Sequence, residues 1–152
     1  MRSRVVVLLG ILLLLASCGQ ESGQLEPPEI RYGRDTCAQC GMIISDPRFA
    51  AAAATGDGSV SIFDDIGDLL AYRKENRPDW IMIWVHDYNT QEWLRAEDAW
   101  YLLSPAIHSP MGWGIAAFAS EEAARTRQAE LGGELLRWEE LLARELTLPA
   151  AH

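Results

Sequence analysis

Two helix starts in this chain are built alike. Phe63-Asp64-Asp65 leads into one and Phe118-Ala119-Ser120 into the other, each after a short apolar run. An Asp or Ser at such a point caps a helix by accepting from the free amides of its first turn. The elements around both starts read strand, strand, helix, strand. That order predicts an α+β fold of two related ββαβ units, mainly antiparallel, with helices packed on sheet. Three short strands and one helix bury little apolar surface alone, so the two units are expected to share a core.

Breakers and periodicity give the individual elements. Residues 49–55 and 59–63 read as strands around the turn Gly56-Asp57-Gly58, although the first is mostly alanine and its strand signal is weak. A helix capped by Asp64 or Asp65 runs to about residue 76, before Pro78. Residues 80–86, rich in Ile, Trp and Val, read as a central strand, and residues 93–94 as a short extended piece. In the second half, residues 99–103 and 114–118 are strands on either side of a loop that holds Pro105, His108, Pro110 and Met111. Ser120 starts a helix with Glu121 and Glu122 in its first turn, where negative charge suits the helix dipole. Gly132-Gly133 ends it. Residues 134–138 make a last strand and residues 139–146 a terminal helix. The six tryptophans read as core or unit-interface residues.

The N-terminus stands outside this pattern. Arg2 and Arg4 precede an apolar run over residues 5–15, shorter than the roughly 20 residues a membrane span takes. Leu15-Ala16-Ser17-Cys18 resembles a lipobox, so residues 1–17 read as a lipoprotein signal peptide and Cys18 as the lipidated residue. Residues 18–30, with Gly, Gln, Glu, Ser and Pro, form a flexible tether. The folded domain then occupies residues 31–152, as two subunits of about 31–88 and 89–152. These features place the chain in the cell envelope, extracytoplasmic and held to the membrane by its lipid anchor. Loss of the two signal arginines takes the formal charge from −9 to −11. An acidic chain gains nothing from counterion release, which sets nucleic acid aside.

With Cys18 consumed, Cys37 and Cys40 remain as a CxxC pair. Cys40-Gly41-Met42 puts a thiol and a thioether two residues apart, and Gly41 allows the backbone to bend so that both face one point. Met111 sits between Pro110 and Gly112 in a loop. Soft thiolate and thioether ligands select copper(I). The competing reading makes Met42 and Met111 gap fillers in a core. If the two sulfur-bearing loops face each other across the two units, a copper(I) ion fits between them, near the surface and open to ligand exchange.

Five stretches together resemble one family. They are Asp35-Thr36-Cys37-Ala38-Gln39-Cys40-Gly41-Met42-Ile43-Ile44, Ile62-Phe63-Asp64-Asp65-Ile66-Gly67-Asp68-Leu69, Trp84-Val85-His86-Asp87-Tyr88, Trp93-Leu94-Arg95-Ala96-Glu97-Asp98-Ala99, and the run from Ser109-Pro110-Met111-Gly112-Trp113 to Phe118. They look like the nitrous oxide reductase accessory protein family, NosL, over about residues 35–133. The resemblance implies a copper(I)-binding chaperone of the envelope, with Cys40, Met42 and Met111 as metal ligands. It implies a client, nitrous oxide reductase with its copper–sulfur centre or another cuproenzyme, and a membrane transporter as a candidate copper donor. Cys37 departs from members that keep one cysteine here, which leaves the client open.

Cys37, His108 and His86 are further candidate ligands. Asp64 and Asp65 are explained by capping, and Asp87 by a turn. No catalytic triad, phosphate loop or paired catalytic carboxylates stands out, so no catalysis is expected. Three other readings of the CxxC pair stay open at this point: a thiol–disulfide redox protein, a structural zinc site, and a lipoprotein binding module stapled by a disulfide.

Overall fold

A computed structural model describes residues 25–146. The expected signal peptide, the lipidated Cys18, the start of the tether and His152 lie outside the described residues. The elements in order are β1 (Ala51–Thr55), β2 (Val60–Phe63), α1 (Ile66–Asn76), β3 (Trp80–His86), β4 (Trp93–Arg95), β5 (Trp100–Leu103), β6 (Ile115–Phe118), α2 (Glu121–Leu131), β7 (Glu134–Arg137) and α3 (Trp138–Leu142).

They form two sheets with strand orders β2-β1-β3-β4 and β6-β5-β7. In each sheet the first strand of the unit is central. Its hairpin partner lies on one side and the strand that follows the helix on the other. The ββαβ connection therefore occurs twice with the same topology, and β4 is an added edge on the first sheet. All the ladders are antiparallel. A parallel bridge between Asp87 and Ala117 joins the sheets. There the Tyr88 amide donates to the Ala117 carbonyl at 2.8 Å, and the Ala119 amide donates to the Asp87 carboxylate at 2.7 Å.

The alanine run of β1 is a strand because both of its edges are paired and both of its faces are covered. Side chains alternate across a strand. Ala51 and Ala53 pack into the main core with Phe63, Ile66, Leu69, Val85 and Tyr101. Ala52 and Ala54 pack with Trp84 on the other face. Small side chains at the centre of the sheet let larger neighbours close over it.

The two helix starts match in backbone as they do in sequence. Asp65 is extended at φ −144° and ψ 143°, and accepts from the Gly67 amide. Ser120 is extended at φ −140° and ψ 154°, and accepts from the Ala123 amide. The terminal helix differs from the expected residues 139–146, since α3 is the single turn Trp138–Leu142. Trp138 and Leu141 are buried, and Leu146 packs against the same core from beyond the end of the helix. Arg144 reaches Glu134 in an ion pair. Among the described residues, no helix is long and apolar enough to cross a membrane.

Candidate metal centre

The cysteine pair lies on a tight turn. Thr36 and Ile43 form an antiparallel bridge at its base. Inside it the Cys37 amide donates to the Met42 carbonyl at 2.8 Å and the Gly41 amide to the Cys37 carbonyl at 3.0 Å. Gly41 takes φ +72°, the left-handed region that suits glycine. The Ala38 amide donates to the Ile62 carbonyl at 2.8 Å, which fastens the turn to β2. The bend expected at Gly41 is therefore present, but Cys37 to Gly41 closes a turn rather than running extended. Cys37 is buried and Cys40 half-buried, and both are free thiols. Met42 is 58% exposed beside them, so one of the soft donors faces solvent.

A carboxylate completes this group. The Cys37 thiol donates to Asp68 Oδ2 at 3.2 Å. Donor atoms of Cys37, Cys40 and Asp68 all lie within 4.8 Å of one another. Asp68 sits in the first turn of α1 and is buried. Burial, reinforced by a hydrogen bond to Asp68, pushes the Cys40 thiol up to about 12. A metal ion binding here displaces the thiol proton.

The methionine loop meets the same helix turn. The Met111 amide donates to Asp65 Oδ2 at 3.1 Å, while Asp65 Oδ1 accepts the Gly67 amide at 2.9 Å. Two residues on, Trp113 Nε1–H donates to Asp68 Oδ1 at 2.8 Å. The indole lies so close over Gly67 that a Cβ there would stand 1.9 Å from Trp113 Cγ. Asp65 and Asp68 thus bind the second unit's loop to the first unit's helix.

Burial raises Asp65 to about 6, against hydrogen bonds from Ser109, Gly67 and Met111 that lower it. The folded protein then holds this proton more tightly than the unfolded chain, whose carboxyl has the ordinary value of 3.8. Stability tied to Asp65 is full at low pH and is lost as pH rises through about 4 to 6. Asp35, Asp46, Asp57 and Asp87 are shifted the other way, so their contributions fade below that window. The expected result is that Asp65→Asn flattens the dependence of the melting temperature on pH between about 4 and 6. Calorimetry of metal-free protein across that range checks it, and parallel curves for the two proteins would refute it.

The other sequence candidates lie elsewhere. His86 is buried at the end of β3 with both ring nitrogens engaged, Nε2 with the Tyr32 hydroxyl at 2.9 Å and Nδ1 with the Gln91 carbonyl at 2.7 Å. Its ring stacks on Trp93 at 3.7 Å between centroids, and burial lowers its pKa. His108 is exposed. Neither histidine joins a metal-holding group among the described residues. Asp64 accepts from the Ser45 amide at 2.8 Å, and Asp87 holds its turn through the amides of Asn89 and Thr90. Sequence reasoning missed Asp68 and the tie from Trp113. The available signal was their positions, one helical turn after the Asp65 cap and two residues after Met111.

Comparison with known proteins agrees with this architecture. Residues 30–146 match the NosL family model. The copper-binding lipoprotein NosL of Stutzerimonas stutzeri is 30% identical over 148 residues, spanning 88% of this chain and 78% of that one. The crystal structure of the copper chaperone NosL from Shewanella denitrificans superposes with a TM-score of 0.68. It covers 77% of this chain and 96% of its own, at 22% identity, which establishes the shared fold. The family match spans most of the chain and the relative reaches 30% identity over 88% of it, so the chain belongs to the NosL family.

Proposed function

We propose that this protein is a copper(I) chaperone of the cell envelope, anchored by lipid on Cys18, with Cys40, Met42 and Met111 as the copper ligands. The observation that carries the reading is the meeting of two sulfur-bearing loops on the first turn of α1, through Asp65 and Asp68. Thiolate and thioether donors match a soft monovalent ion. The copper named for the two relatives points the same way. Asp68 is a hard donor and serves here as a hydrogen-bond acceptor. The exposed Met42 gives an incoming protein ligand access to the ion, as a carrier that releases its cargo requires. The client is nitrous oxide reductase, at its copper–sulfur centre, or a related cuproenzyme. A membrane transporter is the candidate copper donor.

The role is carriage, without catalysis. A redox-active CxxC needs a thiol whose pKa is lowered, commonly by a helix that starts at the pair. Here the pair lies in a turn, Cys37 is buried, and Cys40 is shifted upward by burial.

The test is an anaerobic titration of the reduced protein lacking residues 1–23 against a coloured copper(I) chelator. One copper per chain is expected. Met42→Leu and Met111→Leu should each weaken it by about tenfold or more, at least the loss seen on removing outer-shell partners. Methionine variants that compete as well as wild type would refute the sulfur site.

A further inference from the structure

We propose that Asp68 is a positioning residue that holds the two sulfur loops in register, without touching the ion. The inference rests on the copper reading above and deepens it. Asp68 places one carboxylate oxygen on each loop. Oδ2 accepts the Cys37 thiol at 3.2 Å and Oδ1 accepts the Trp113 indole at 2.8 Å. Cys37 belongs to the turn that carries Cys40 and Met42, and Trp113 follows Met111 by two residues. One buried side chain therefore spans the gap between the proposed ligands of the first unit and that of the second.

Its surroundings leave little freedom. Asp68 is 3% exposed on the first turn of α1. The helix fixes its backbone, and Asp65, one turn earlier, takes the Met111 amide. Trp113 lies against Gly67, so the indole is gripped by packing on one side and by a hydrogen bond at its nitrogen. Cys37 is the buried thiol, held on Asp68, while the half-buried Cys40 and the exposed Met42 are the loop's accessible soft donors. Outer-shell hydrogen bonds of this kind set ligand orientation, and removing one typically weakens metal binding by about 10–100-fold.

Asp68→Asn and Trp113→Phe cut the same tie from opposite ends. An amide replaces one carboxylate oxygen by an NH2 donor, so it cannot accept at both positions that Cys37 and Trp113 occupy, and phenylalanine keeps the packing but has no donor. Four readouts on the mature protein decide the matter. Copper(I) affinity should fall by about 10–100-fold in each variant, and no further in the double variant. X-ray absorption should show the copper losing one sulfur neighbour in Asp68→Asn while gaining or losing no protein oxygen. Met111→Leu should cost much less in the Asp68→Asn background than in wild type. In metal-free protein, amide hydrogen exchange at Met111, Gly112 and Trp113 should speed up in both variants, while Ser120 in the α2 cap is unchanged.

Unchanged sulfur coordination with wild-type affinity would overturn the proposal, as would loss of an oxygen neighbour, which would make Asp68 a ligand. Trp113→Phe keeps the test open if Asp68→Asn fails to fold. Failure of wild type to bind copper would overturn the function proposed above. The exchange readout would still judge the tie by itself, and unaltered exchange in the metal-free variants would overturn it.

Discussion

Cys40→Ala is expected to abolish tight copper(I) binding, a loss of more than about a hundredfold, or roughly 2.7 kcal/mol. Of the three proposed ligands, Cys40 alone becomes an anion, since the thioethers of Met42 and Met111 stay neutral. It therefore contributes both a soft donor and the charge that balances the ion. Its neighbour is a poor substitute. Cys37 is 3% exposed and its thiol is committed to Asp68. Cys37→Ser should consequently change affinity far less than Cys40→Ala, and the serine hydroxyl can still donate to the carboxylate. The same competition titration checks both variants side by side. The opposite ranking, with Cys37→Ser the more damaging change, would move the thiolate ligand to the buried cysteine and make Cys40 its redox or exchange partner.

Most of the fold could be read from the chain because its local signals agree with each other. Two capped helix starts, a glycine hairpin and paired apolar runs all describe the same ββαβ unit, and the sheets have the same strand order twice. Even the alanine strand, weak by propensity, was placed by the turn after it. What resisted reading was long-range. α3 stops at Leu142 although Leu146, four residues on, still packs against the core, so apolar spacing alone overstates the helix. Asp68 resembles any acidic residue in a first helical turn, where helix polarity alone explains a negative charge. Only the fold shows it buried between a thiol and an indole from the other unit. His86 errs in the other direction. As a histidine at a strand end it suggested a ligand, and its two ring nitrogens turn out to be consumed by Tyr32 and Gln91. The proposed sulfur donors stand out in the sequence because methionines flanked by glycine in loops are scarce, whereas the carboxylates that bring their loops together look like ordinary caps.

Gly67→Ala is expected to destabilise the fold strongly. A methyl group at this position would stand 1.9, 2.3 and 2.4 Å from three ring atoms of Trp113. Either the indole leaves or α1 moves. The indole cannot slide far while its nitrogen donates to Asp68, and α1 is fixed at the same turn by its Asp65 cap. Overpacking of a well-filled site costs about 1–3 kcal/mol, and two tied partners put this case near the upper end. A loss of about 3 kcal/mol lowers the melting temperature by roughly 10 °C in a domain of this size. The helix propensity of alanine, better than that of glycine by about 1 kcal/mol, offsets only part of it. Thermal unfolding measures the effect. Its cause is separable by a second substitution, because Trp113→Ala removes the clashing ring. If the clash is responsible, Gly67→Ala in the Trp113→Ala background should be neutral or stabilising, with a coupling of more than about 1 kcal/mol between the two sites. Additive losses would instead place the damage in α1 itself. They would remove the packing half of the grip on the methionine loop and leave the Asp68 hydrogen bond to hold it alone.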